Sequence, residues 1–204
     1  MSEYLITAAE ERKKGLTALY LDGEYAVSVD TVTLASFGCT AGKVITDEQL
    51  HELLAASNLH RAKEKALYLL EYRSRTRREL YDKLSPLFGE EAAETVLERL
   101  EDLGLVNDEA FARDYAEQLL ERKHFSRERT AFELMKKGID RDTIDTVLDE
   151  FETDPCEQIQ ALLSTKFARR LSTEKDRIRT VNALKAMGFH WQDIREAMEL
   201  FTSG

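Results

Sequence analysis

The stretch nearest to a chemical motif is Gly38-Cys39-Thr40-Ala41-Gly42-Lys43-Val44, which invites reading as a loop whose amides and lysine cradle phosphate. It fails that reading twice. Three residues rather than four separate the glycines, and Val44 brings no hydroxyl for magnesium. Gly42 reads instead as a turn residue. His51, His60, His124 and His190 stand singly, none four residues from another, so no helix face offers a zinc pair. A histidine-dependent triad would have to be assembled from distant segments. Cys39 and Cys156 stand far apart with no CxxC and no Cys/His cluster. Glu90-Glu91 and Asp149-Glu150 sit among many other carboxylates and read as solvated helix faces rather than acid–base pairs. Tyr68, Tyr72, Tyr81, Phe111, Tyr115 and Phe125 recur at helical intervals and read as core or inter-repeat packing, not as a stacking platform. No metal, cofactor or catalytic set emerges, so the expectation is a protein that is not an enzyme.

The elements that carry these residues fall into two groups. Leu16–Leu21 and Glu24–Asp30, joined by Asp22-Gly23, predict a β-hairpin, because a type I′ turn needs positive φ at both central residues. Tyr4–Thr7 suggests a third strand. Thr46, with Gln49 three residues on, opens a capped helix that the sequence carries to about Ser57. From His60 onward the pattern is helical and it repeats. Leu134, Gly138 and Ile139 recur fifty residues later as Leu184, Gly188 and Phe189. At the same offset Ile144, Val147, Leu148 and Phe151 correspond to Ile194, Ala197, Met198 and Phe201. Ala93, Val96, Leu97 and Leu100 give that apolar helix face a third time. Ser85-Pro86 reads as the end of one helix and Gly89 as the start of the next. The fold expectation is therefore mainly α, with three tandem three-helix repeats in an elongated array after a small β-hairpin and helix. The segments are 1–58, then 59–104, 105–152 and 153–204.

Charge follows the same period. Basic residues outnumber acidic ones eight to four in 61–83, six to three in 121–137 and seven to two in 166–185. The intervening stretches 89–110 and 138–157 each hold one basic residue against eight acidic ones. A basic face on the first half of each repeat is the expectation, set against a surface whose charges serve only solubility. Over all 204 residues the net charge is −10, with 29 basic against 39 acidic residues. That balance disfavours bare nucleic acid as the sole partner, because phosphate neutralisation supplies most of a DNA binder's affinity. No apolar run is long enough to cross a bilayer and the first residues lack a secretory pattern, so the expectation is a cytoplasmic, reduced protein.

Several segments carry a family likeness. Leu103-Gly104-Leu105-Val106-Asn107-Asp108-Glu109-Ala110-Phe111-Ala112 resembles the G-[YLI]-[LIV]-[ND]-D-x-x-F-A junction of the RecX family. The run from Tyr72 to Leu84, YRSRTRRELYDKL, resembles its Y-R-x-R-S-x-x-E-L-x-x-K-L segment, with Thr76 where serine is frequent. The turns at Lys137-Gly138-Ile139 and Met187-Gly188-Phe189 resemble its later repeats, and Tyr20–Ala26 its N-terminal hairpin.

The resemblance implies a regulator of the RecA recombinase that lies in the groove of the RecA–DNA filament. Its implied effect is to limit filament extension, strand exchange, ATP hydrolysis and co-protease activity in DNA repair, recombination and the SOS response. The implied partner is the RecA-type filament, with DNA inside it touched weakly, and the implied state is a monomer. On that reading the contact residues are Arg73, Arg75, Arg77 and Arg78 in the first repeat. Arg122, Lys123, Arg127 and Arg129 follow in the second, and Lys166, Arg169 and Arg170 in the third. A helix-turn-helix DNA binder is the alternative, weakened because its recognition helices, 89–101 and 140–151, are the most acidic parts of the chain. A helical-repeat scaffold for some other protein is a further alternative.

Overall fold

The computed structural model describes residues 2–168, 171 and 173–203. Strands β1 (Glu3–Arg12), β2 (Leu16–Leu21) and β3 (Glu24–Asp30) precede a short helix α1 (Thr31–Ser36), and β4 (Val44–Thr46) follows it. All pair antiparallel in the order β3-β2-β1-β4. The Asp22-Gly23 turn is the predicted one, with φ +52° and +91° at its two residues. β1 extends well beyond Tyr4–Thr7. A second turn at Lys13-Lys14-Gly15, with φ +67° and +69° at its last two residues, pairs β1 with β2 from Arg12–Leu16 to Ile6–Leu21. The sequence reading does not anticipate β4, which is three residues long and borders β1 from Glu3–Thr46 to Leu5–Val44. The glycine loop before it is a closure of the sheet. Gly42 N–H donates to the Ile6 carbonyl at 2.8 Å, and the Lys43 ammonium to the Phe37 carbonyl at 2.9 Å.

Helix α2 spans Asp47–Tyr72, far past the predicted stop near Ser57. Its start is the reciprocal capping box that the sequence announces. Thr46 Oγ1 accepts from Gln49 N at 3.2 Å, and Gln49 Oε1 accepts from Thr46 N at 3.1 Å. Ser57-Asn58 are weak helix formers and suggest a break. A tertiary contact overrides that preference: the buried Ser57 hydroxyl accepts the N–H of Asp30, at the end of β3, at 2.8 Å. One end of α2 thus supplies Leu53 to the sheet core of Ile6, Leu19, Val29 and Ile45. Its other end supplies Ala62, Ala66 and Leu69 to the first helical core.

Helices α3 (Arg77–Phe88) and α4 (Glu90–Asp102) complete that core. Pro86 does not end α3. It removes one N–H, but the last turn carries on through Gly89 N–H to the Ser85 carbonyl at 3.0 Å. Gly89, at φ +90°, then turns the chain into α4. The next set is α5 (Asp108–Glu117) with a π-helical turn over Gln118–Arg122, α6 (Arg127–Lys136) and α7 (Arg141–Asp149). The last set is α8 (Pro155–Ser164), α9 (Glu174–Ala186) and α10 (Trp191–Ser203). Side-chain caps fix most helix starts: Thr76, Asn107, Ser126, Asp140, Asp154 and Thr173 each accept an N–H from the first turn.

Each set has its own core. Leu84, Leu134 and Leu184, fifty residues apart, are all 0% exposed, each in a separate apolar cluster. Full burial of one such side chain stabilises by about 1.5–3 kcal/mol. The chain divides after Val106 into two compact units. The sheet and the first helical set form one; the second and third sets form the other.

Candidate functional site

Many of the predicted contact residues face acidic groups of their own repeat. The guanidinium of Arg73 holds Glu79 through two hydrogen bonds of 2.9 and 3.2 Å. Arg75 Nε donates to the Leu69 carbonyl in the last turns of α2 at 3.2 Å. Arg77 reaches from α3 to α4, with Nη2 2.5 Å from Glu94 and Nε 3.1 Å from Glu101. These contacts raise its pKa, the Glu94 hydrogen bond contributing most. Arg78 pairs with Asp82 one turn on, at 3.0 Å, on an exposed surface. In the second repeat Arg127 donates to the Leu148 carbonyl and, at 2.5 Å, to Asp149 at the end of α7. Arg129 pairs with Glu133 at 2.7 Å. Arg122 and Lys123 are exposed where the π-helical turn ends, and Lys166 is exposed with its ammonium 5.8 Å from the Phe167 ring centre. Arg169 and Arg170 lie outside the described residues.

Arg77 and Arg127 occupy the same place in consecutive repeats, the first position of the second helix, and both clamp the third helix. The offset of fifty that finds them also reaches Arg177, whose Nε donates to the Leu171 carbonyl at 3.1 Å. The sequence reading omits Arg177, although extending the repeat from Arg127 would have found it. It also omits Arg113. That guanidinium grips Glu150 on α7 at 2.6 and 2.7 Å and Glu109 at 2.8 Å, which raises its own pKa and lowers that of Glu150. Much of the alternation of charge is therefore internal. Basic first halves are held against acidic third helices, and of the described contact residues Arg73, Arg78, Arg122, Lys123 and Lys166 are exposed while Arg75, Arg77, Arg127 and Arg129 are half-buried. Replacing Arg127 with Ala should cost about 1 kcal/mol, as for a partly exposed pair. Arg122→Ala should be neutral within about 0.5 kcal/mol. Urea unfolding of the two variants side by side checks this, and equal midpoints would remove the clamp.

A second cluster joins the second and third helical sets. The Ser126 N–H donates to the Met187 carbonyl, and the Ser126 hydroxyl to the Gly188 carbonyl, both at 2.9 Å. The same hydroxyl accepts from Arg129 N at 3.2 Å and so caps α6. Beside it, His190 Nε2 stands 2.6 Å from Glu128 Oε1. The hydrogen bond to Glu128 raises the His190 pKa above its ordinary value, the charge of Glu128 adding to it. A raised folded-state pKa stabilises fully below the unfolded value and is lost as pH rises through the folded one. The junction should therefore be firmer at pH 5.5 than at pH 8.5, the loss beginning above about 6.5. Amide exchange at Ser126 compared with that of His190→Gln is the measurement. An equal pH response in both would show that His190 plays no part.

The aromatic residues divide. Tyr81 packs on the first helical core, Phe111 and Tyr115 on the second, and Phe125 on the third. Tyr68 and Tyr72 do not pack in a core: they are 65% and 84% exposed, correcting the core reading. Helical spacing shows that residues share a face but not which face is buried. On α2 the inward face belongs to Ala62, Ala66 and Leu69, and a tyrosine one position away from that stripe points outward.

Together these features define a protein of tandem three-helix units behind a small sheet, bearing paired surface charges and solvent-facing cations. Among the described residues no helix is long and apolar enough to cross a membrane. Family models for the first and second three-helix domains of RecX match residues 62–100 and 107–148. Regulatory protein RecX of Bacillus velezensis is 31% identical over 202 residues, spanning 95% of this chain and 76% of that protein. Regulatory protein RecX of Clostridium acetobutylicum is 28% identical over 213 residues, spanning 99% of both. The crystal structure of RecX from Lactobacillus salivarius superposes with a TM-score of 0.60 at 25% identity, covering 73% of this chain and 99% of that one. The chain belongs to the RecX family, whose members similar to it are named regulatory proteins rather than enzymes.

Proposed function

We propose that this chain regulates a RecA-type recombinase by binding the recombinase–DNA filament and restraining its growth, strand exchange, ATP hydrolysis and co-protease activity. It acts as a cytoplasmic monomer without a cofactor, in DNA repair, recombination and the SOS response. Segments 59–104, 105–152 and 153–204 serve as its contact units, behind the N-terminal segment 1–58. The observation that carries the reading is the match, over nearly the whole chain, to proteins named Regulatory protein RecX. The side chains support it: each helical set keeps an exposed cation, Arg78, Arg122 and Lys166, while Arg77 and Arg127 are engaged with the third helix of their own sets. A net charge of −10 makes an extended filament of protein and DNA a better target than bare DNA.

The test follows ATP hydrolysis by RecA on single-stranded DNA as the purified chain is added, with binding to the same DNA alone as the control. Inhibition at concentrations that leave bare DNA unbound supports the proposal. Tight, steeply salt-dependent binding to bare DNA would support a DNA-binding module instead. Joint replacement of Arg78, Arg122 and Lys166 by Glu should weaken inhibition at least tenfold while leaving stability within about 1 kcal/mol, since exposed pairs contribute little. Unchanged inhibition would remove these cations from the mechanism.

A further inference from the structure

Cations and aromatic rings alternate along one side of the second helical set. Lys123 Nζ stands 5.8 Å from the centre of the Phe125 ring. Arg129 Cζ stands 5.6 Å from Phe125 and 5.6 Å from Phe132, and Lys136 Nζ is 5.6 Å from Phe132. Arg129, Phe132 and Lys136 follow at i, i+3 and i+7, so they run along one face of α6. Glu133 ties the row together, pairing with Arg129 at 2.7 Å and Lys136 at 3.4 Å. The row has a fixed base. A Cβ on Gly188 would meet Arg129 Cβ at 2.5 Å, so the α6 backbone is seated tightly on the Gly188 turn. Yet Phe132 is 51% exposed and its neighbour Met135 58% exposed.

We infer that this face of α6 is a protein-docking surface, and that its occupant is an apolar pocket rimmed by carboxylates on the partner. Phe132 and Met135 enter the pocket, while Lys123, Arg129 and Lys136 meet the rim. The composition argues for protein over nucleic acid. Aromatic residues, methionine and arginine are the types enriched where proteins meet. Methionine has no flat face on which a base can stack. Phe132 is flanked by cations from the preceding and the following turn, which a stacking base would have to displace. Side chains already ordered by Glu133 and by ring contacts lose little freedom on binding, which favours affinity.

This inference rests on the regulatory proposal for its partner, so RecA filaments on single-stranded DNA are the probe. The experiment compares wild type, Phe132→Ala/Met135→Ala and Lys136→Glu for inhibition of ATP hydrolysis, for binding to the same DNA alone, and for thermal unfolding. The replaced side chains are exposed, so all three proteins should unfold at similar temperatures. The expected result is at least a tenfold loss of inhibition in the double variant, with DNA binding unchanged. Lys136→Glu should show a loss that shrinks at high salt. If wild type inhibits and the double variant inhibits equally well, the docking face is overturned and the regulatory proposal stands. Parallel loss of DNA binding would make the row a nucleic-acid surface and also overturn the inference. A wild type inert towards RecA would overturn both.

Discussion

Gly188→Ala should unfold the second compact unit at markedly lower temperature than wild type. The backbone at Gly188 has φ +96°, a region that a Cβ makes costly. The added Cβ would also stand 2.5 Å from both Ser126 Oγ and Arg129 Cβ. It would push apart the two hydrogen bonds that Ser126 makes to Met187 and Gly188. Strain and overpacking of this kind together amount to about 3–5 kcal/mol. For a unit of this size, each kcal/mol lowers the midpoint by about 4–8 °C. Gly104→Ala is the control, since Gly104 has φ +68° but a Cβ there would meet nothing within 4 Å. It should cost only the backbone preference, about 1–2 kcal/mol. Equal losses in the two variants would mean that the contact with Ser126 and Arg129 contributes nothing.

Leu84→Ala, Leu134→Ala and Leu184→Ala should each cost about 2–5 kcal/mol, because each side chain is fully buried and leaves a cavity. The pattern of damage is more informative than its size. The three leucines belong to separate apolar clusters, so amide exchange should quicken first in α4, in α7 and in α10 respectively. Leu84→Ala should leave protection in α10 unchanged, since those residues lie in different compact units. Uniform loss of protection throughout the chain in any of the three would contradict separate cores.

What could be read in the sequence was periodic or local. The apolar positions Leu134 and Leu184 declare themselves by recurrence, and both are buried. The Asp22-Gly23 turn and the Thr46–Gln49 capping box depend on a few adjacent residues, and both appear as read. Where distant residues decide, local pattern misleads. Ser57 continues a helix because Asp30 needs an acceptor, and nothing near Ser57 announces that. β4 exists because Glu3–Leu5 leave a free strand edge. Pro86 is tolerated because it falls in the last turn of α3. The basic residues show the same divide. Their period is visible in composition, but whether an arginine meets solvent or a carboxylate is set across the repeat, as Arg77 does with Glu94 and Glu101. Tyr68 and Tyr72 share the helical spacing of core residues but stand off the buried stripe and point outward.

The uninterrupted α2 rod sets a rule of phase between the sheet and the first helical core. Leu53 and the trio Ala62, Ala66 and Leu69 serve different cores from one helix, so their angular relation is fixed by the number of residues between them. One inserted residue would rotate the trio by about 100° relative to Leu53, and two by about 200°. An insertion near seven residues, about two full turns, would restore the alignment to within about 20°, while moving the cores about 10 Å apart along the axis. Length in this segment is therefore quantised by helical pitch, unlike that of a flexible tether, and indels there should be tolerated only in such steps.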